Sequence, residues 1–65
     1  MSSQAYAIEV HGHTAGIVVA EHRGFTFFAS DWAFKDLDRR TFRHVGQAER
    51  AAQHLYTTLS KRHRR

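Results

Sequence analysis

Val45-Gly46-Gln47-Ala48-Glu49-Arg50-Ala51-Ala52-Gln53-His54-Leu55-Tyr56-Thr57-Thr58-Leu59-Ser60-Lys61 is the longest stretch of the chain that keeps a single hydrophobic period. Val45, Ala48, Ala52, Leu55 and Leu59 recur at helical spacing, with Ala51 and Tyr56 beside the stripe. Glu49, Arg50, Gln53, His54, Thr57, Ser60 and Lys61 fall elsewhere on the wheel. The pattern predicts an amphipathic helix over about 46–61, with alanines near its start that let it approach its partner closely. Its first turn is served either by Gly46 with Glu49 or by His44 with Gln47. Lys61 and Arg62 suit the negative end of its dipole. A helix with one apolar stripe must bury it against another element, and the residues before it read as a sheet.

Ala5-Tyr6-Ala7-Ile8-Glu9-Val10 alternates, with Tyr6, Ile8 and Val10 on one side of a strand. His11-Gly12-His13-Thr14-Ala15-Gly16 carries two glycines and reads as a hairpin connection. Ile17-Val18-Val19-Ala20 is a continuous apolar run suited to a central strand, and Phe25-Thr26-Phe27-Phe28-Ala29 is a third. Two registers are open between the second and third strands. A three-residue loop sets Ile17 and Val19 beside Phe25, Phe27 and Ala29, whereas a two-residue loop pairs Ala20 with Phe27. Ser30 or Asp31 caps a short helical turn, or residues 30–40 form an ordered loop, with some of Trp32, Phe34 and Leu37 packed. Asp38-Arg39-Arg40 reads as a turn, and Thr41-Phe42-Arg43 as a short edge strand. The expected fold is therefore α+β. It is a three- or four-stranded antiparallel meander (about 5–10, 16–22, 25–29 and, as the optional strand, 41–43) covered on one face by the C-terminal helix.

The chain of 65 residues makes one small domain, 1–65, with a basic tail at 61–65. It has no cysteine and no proline, which excludes disulfides and thiolate metal sites and suits a reducing cytoplasm. No apolar run reaches the roughly 18 residues that a membrane-spanning helix requires. Met1-Ser2-Ser3-Gln4 has neither a basic region nor a following apolar core, so no signal peptide is expected. We expect a cytoplasmic protein.

Charge is uneven. Residues 1–34 set Arg23 against Glu9, Glu21 and Asp31, while Lys35, Arg39, Arg40, Arg43, Arg50, Lys61, Arg62, Arg64 and Arg65 face only Asp36, Asp38 and Glu49 in the second half. The whole carries +4. Arginine forks suit phosphate oxygens, and aromatic side chains interleaved with them can stack on bases. Arg39, Arg40, Arg43, Arg50, Lys61, Arg62, Arg64 and Arg65 are thus the candidate contacts to DNA or RNA. The competing reading pairs these bases with the nearby carboxylates. A second class is a homodimer or partner-binding module. One helix covers only one face of a sheet, so in the three-residue-loop register Val18 and Phe28 lie exposed as its interface, unless Trp32 and Phe34 fold over them.

Nothing points to catalysis or to a cofactor. Ser30, Asp31 and the histidines have no nucleophile-elbow pattern around them, and the glycines lack the lysine and helix of a phosphate loop. A chain this short also struggles to enclose a substrate pocket. His11 and His13, with His22 across the hairpin, have metal-ligand chemistry, but no cysteine or carboxylate pattern completes a shell. Surface histidines beside a glycine turn are the expected reading.

The strings Thr14 to Val19, Gly24 to Ala29, Leu37 to Arg43 and Ala48 to Ala52 resemble short uncharacterised proteobacterial proteins. That likeness covers most of residues 14–55 and implies no activity, cofactor or site residue. More loosely, the chain is similar to the arm-binding domain of tyrosine recombinases, three strands followed by a helix. The stretch Phe42 to Ala52 stands where that family has an aromatic-containing strand entering an alanine-rich helix. This chain adds about ten residues before that segment and lacks the usual Thr-Lys helix entry, so no residue roles carry over.

Overall fold

The structure, a computed structural model, describes the backbone of residues 4–63 and the side chains of residues 4–59. Strands β1 (Ala5–Val10), β2 (His13–Glu21), β3 (Gly24–Ala29) and β4 (Thr41–Phe42) form one antiparallel sheet in the order β1-β2-β3-β4. A 3-10 helix, Trp32–Leu37, lies between β3 and β4, and helix α1 runs from Val45 to His63. The expected α+β meander is present, with the fourth strand reduced to two residues.

The first hairpin closes sooner than the sequence suggested. His11 (φ 52°) and Gly12 (φ 80°) form a two-residue turn, and Val10 pairs directly with His13. Positive φ at both positions matches the right-handed twist of the flanking strands. Strand β2 therefore starts at His13 rather than near residue 16. The surplus residue is taken up by a bulge: Glu9 faces Thr14 and Ile8 faces Gly16, which leaves Ala15 unpaired with β1. Its carbonyl accepts the Ser30 N–H at 3.0 Å instead. Glycine is required at position 16, because a Cβ there would collide with the Phe28 carbonyl oxygen and stand 2.8 Å from Phe27 Cζ.

The second turn is His22-Arg23, with Glu21 opposite Gly24, Ala20 opposite Phe25 and Val18 opposite Phe27. It is a two-residue turn, but set so that Ala20 meets Phe25 instead of the Phe27 expected of a two-residue loop. Both arrangements turn the same side of β2 inward. That corrects the three-residue-loop expectation for Val18: it is 0% exposed and sits in the core beside Phe27, so it is no part of an exposed face. Phe28 does point to the other side, paired with Ile17.

Ile8, Val10, Ala15, Val18, Phe27, Phe34, Leu37, Ala48 and Ala52 make up the core. Each large apolar side chain buried there contributes about 1.5–3 kcal/mol. Ala48 and Ala52 are fully buried, so α1 rests close on the sheet, chiefly over β1, and against the 3-10 helix. The helix start uses His44 and Gln47 but not as the expected reciprocal box, because the Gln47 side chain reaches past the His44 amide to that of Arg43. The His44 carbonyl accepts the Gln47 and Ala48 N–H groups, while Gln47 Oε1 accepts the Arg43 N–H at 3.0 Å.

Candidate nucleic-acid interface

Residues 30–43 hold only the kinked 3-10 helix and the two-residue β4, and side chains hold them in place. Asp31 caps the 3-10 helix, its Oδ1 accepting the Ala33 N–H at 3.0 Å. Phe34, where the backbone kinks, and Leu37 plunge into the core, and the Phe34 ring stacks on Tyr56 at 6.3 Å. Asp38 then ties the far end back, its Oδ1 accepting the Ala29 N–H at 2.9 Å. Arg39 adopts a left-handed conformation (φ 69°) and donates its N–H to the Phe27 carbonyl, while the Arg40 carbonyl accepts the Phe27 N–H at 2.8 Å. The Arg39 amide and the Arg40 carbonyl are thus pinned to β3, while the Arg40 N–H donates to the Leu37 carbonyl, and both side chains stay exposed.

From there β4 carries the chain to Arg43. Because Phe25 pairs with Phe42, the His22-Arg23 turn and the Arg43-His44 entry to α1 reach the same end of the sheet. Arg23, Arg39, Arg40, Arg43 and Arg50 are all exposed. The carboxylates near them in sequence do little to neutralise them. Among the described residues the ion pairs are Lys35–Asp36 at 3.3 Å and Arg39–Asp38 at 3.9 Å. Arg23, Arg40, Arg43 and Arg50 have no carboxylate in pairing range there. The structure therefore brings Arg39, Arg40 and Arg43 to one edge, with Arg50 on α1 within about two turns of its start. The side chains of Lys61 and Arg62, and all of Arg64 and Arg65, lie outside the described residues.

The 3-10 helix does not cover the outer sheet face. Trp32 stays 78% exposed, with the Lys35 ammonium 5.4 Å from its ring centroid. An opening of about 310 Å³ beside it is lined by Ala29, Ser30, Asp31, Trp32, Lys35 and Asp38. The outer face itself is formed by Ala5, Ala7, Ile17, Val19, Thr26, Phe28 and Thr41. Ile17 is 39% exposed, Val19 and Phe28 are half-buried, and Thr26 is buried and donates to Glu21 Oε1 at 2.6 Å. Ile17 and Val19, rather than Val18, accompany Phe28 there.

The histidines do not assemble. His11 and His13 lie against the Tyr56 ring at 5.0 and 6.0 Å, whereas His22 sits in the turn at the opposite end of β2. Among the described residues no three His, Asp or Glu side chains come together as a metal cage. No helix among them is long and apolar enough to cross a membrane.

Trp32 and Ile17 are the surface features that sequence reasoning missed. Trp32 sits in a kinked turn without a period, so its direction had no signal. Ile17 was hidden in an unbroken apolar run whose two sides look alike. No family model, curated protein or solved structure matches the chain.

Proposed function

We propose that this is a non-enzymatic, cytoplasmic nucleic-acid-binding domain, acting as an accessory or regulatory element, that grips a phosphate backbone through Arg39, Arg40 and Arg43. The observation that carries this reading is the edge itself. Three exposed arginines stand on a segment fixed to β3 by main-chain hydrogen bonds, and Arg40 and Arg43 have no carboxylate in pairing range among the described residues. The backbone that carries these arginines is ordered before binding, and a guanidinium fork matches phosphate oxygens. Arg50 extends the patch, and Lys61, Arg62, Arg64 and Arg65 add charge at the far end of the chain.

Titration of a fluorescent single strand and a random duplex at low salt tests the reading. Binding that weakens steeply as salt rises is expected, because each neutralised phosphate releases counterions. Undetectable affinity for both probes at low salt would rule it out.

One observation favours a second reading. Ile17, Val19 and Phe28 form an apolar outer face that neither α1 nor the 3-10 helix covers. Such a face suits a protein partner or a second copy of the chain. Sedimentation across a wide concentration range tests self-association: a rising mass that Ile17→Asp abolishes is expected, and a monomer throughout would exclude the second copy.

A further inference from the structure

Trp32 is the single tryptophan of the chain, and it is left 78% exposed while Phe34 and Leu37 of the same turn are buried. Its position is not loose. Asp31 caps the turn immediately before it, and Phe34 anchors the turn two residues later. The indole is therefore held outward by a fixed backbone.

We propose that Trp32 is a stacking platform for one unpaired nucleobase, so that the ligand of the arginine edge is a single strand rather than a duplex. This rests on the phosphate-binding reading and names its substrate class. Three features of the opening fit a base. Its volume, about 310 Å³, lies at the small end of ligand sites, and Trp32 is among the residues that line it. Its polar lining holds both donors and acceptors: the Lys35 ammonium and Ser30 hydroxyl for ring carbonyls, and the outer carboxylate oxygens of Asp31 and Asp38 for exocyclic amino groups. One oxygen of each of those carboxylates is already engaged, with the Ala33 and Ala29 N–H groups respectively. Asp38 Oδ2 also faces Arg39 Nε at 3.9 Å, and the Lys35 ammonium faces Asp36 at 3.3 Å, both exposed pairs that a base would share or displace.

The rim continues into the arginine edge. Asp38 lines the opening, and Arg39 Nε stands 3.9 Å from Asp38 Oδ2. A base on Trp32 thus leaves its own backbone running toward Arg39, Arg40 and, along β4, Arg43. A paired duplex offers no free base face to the indole, whereas every base of a single strand has one, so stacking discriminates between them without reading sequence.

Tryptophan emission reads the contact directly, since no other tryptophan contributes. The full chain is titrated with oligothymidylate and with an abasic strand of equal length and charge, following labelled-strand anisotropy in parallel. The expected result is quenching by the base-bearing strand only, with affinity about tenfold above that for the abasic strand. Trp32→Ala removes that advantage and Trp32→Phe keeps part of it; circular dichroism verifies that both retain the parent fold. Equal binding of the two strands with unchanged emission overturns the stacking proposal and leaves the phosphate-binding reading standing. Absence of binding to either strand at low salt overturns both. An emission shift on concentrating the protein alone also overturns the proposal, and assigns Trp32 to a contact between copies of the chain.

Discussion

Helix α1 and the segment from Ser30 to Arg43 pack against the same core, yet they are built by opposite means. The helix is held by its own repeating hydrogen bonds and a continuous stripe, and Ala48 and Ala52 bring it tight against the sheet. The segment has no repeat. Two buried side chains, Phe34 and Leu37, pin it from below, while Asp31 and Asp38 close its ends onto backbone amides. A periodic element packs along its whole length through one stripe. An irregular one needs only a few anchors, which frees Trp32, Arg39 and Arg40 to face solvent from a fixed frame. The proposed binding edge belongs to the second kind.

That contrast can be tested by removing one feature at a time. Phe34→Ala should cost the most, about 3–5 kcal/mol in denaturant unfolding, because it deletes the anchor of the segment and its stack on Tyr56. A loss below about 1 kcal/mol would mean that the segment is not fastened to the core. Ala48→Leu should cost less, about 1–3 kcal/mol, since the extra volume forces α1 away from the sheet. Should Ala48→Leu leave the unfolding midpoint unmoved, the close approach of α1 is wrong. Asp38→Ala removes the acceptor of the Ala29 N–H and should cost about 1 kcal/mol. It should also loosen Arg39, seen as faster hydrogen exchange at the Ala29 and Arg39 amides. Arg40→Ala should change stability by less than about 0.5 kcal/mol, as an exposed side chain without an ion pair among the described residues.

The same division explains what could be read from the sequence. The stripe from Val45 to Leu59 located α1, which the structure extends by a residue or two at each end. Alternation in Ala5 to Val10 gave β1 and the side that Tyr6, Ile8 and Val10 share, of which Ile8 and Val10 are buried and Tyr6 is exposed. Register at the second hairpin was not legible, because Ile17-Val18-Val19-Ala20 offers no polar residue to mark the outward side. The placement of Val18 on an open face failed for that reason, and the early closure of the first hairpin was masked by a bulge that no local pattern announces. At the candidate site, the arginines were visible as composition. Their gathering on one edge was not, since it depends on Arg39 and Arg40 bonding to Phe27, twelve or more residues earlier in the chain. Trp32 was visible as an aromatic residue but not as an exposed one.

The arginine edge is the central claim, and the salt dependence of binding addresses it most directly. Affinity for a single strand is measured over a range of salt for the parent chain and for a variant with Arg39, Arg40 and Arg43 all changed to alanine. Each phosphate contact on a single strand contributes about −0.7 to the slope of log K against log salt, so losing three should flatten it by about 2. That flattening is expected, with folding unchanged. A variant that binds with the parent's slope would contradict it, and would place the phosphate contacts elsewhere on the chain.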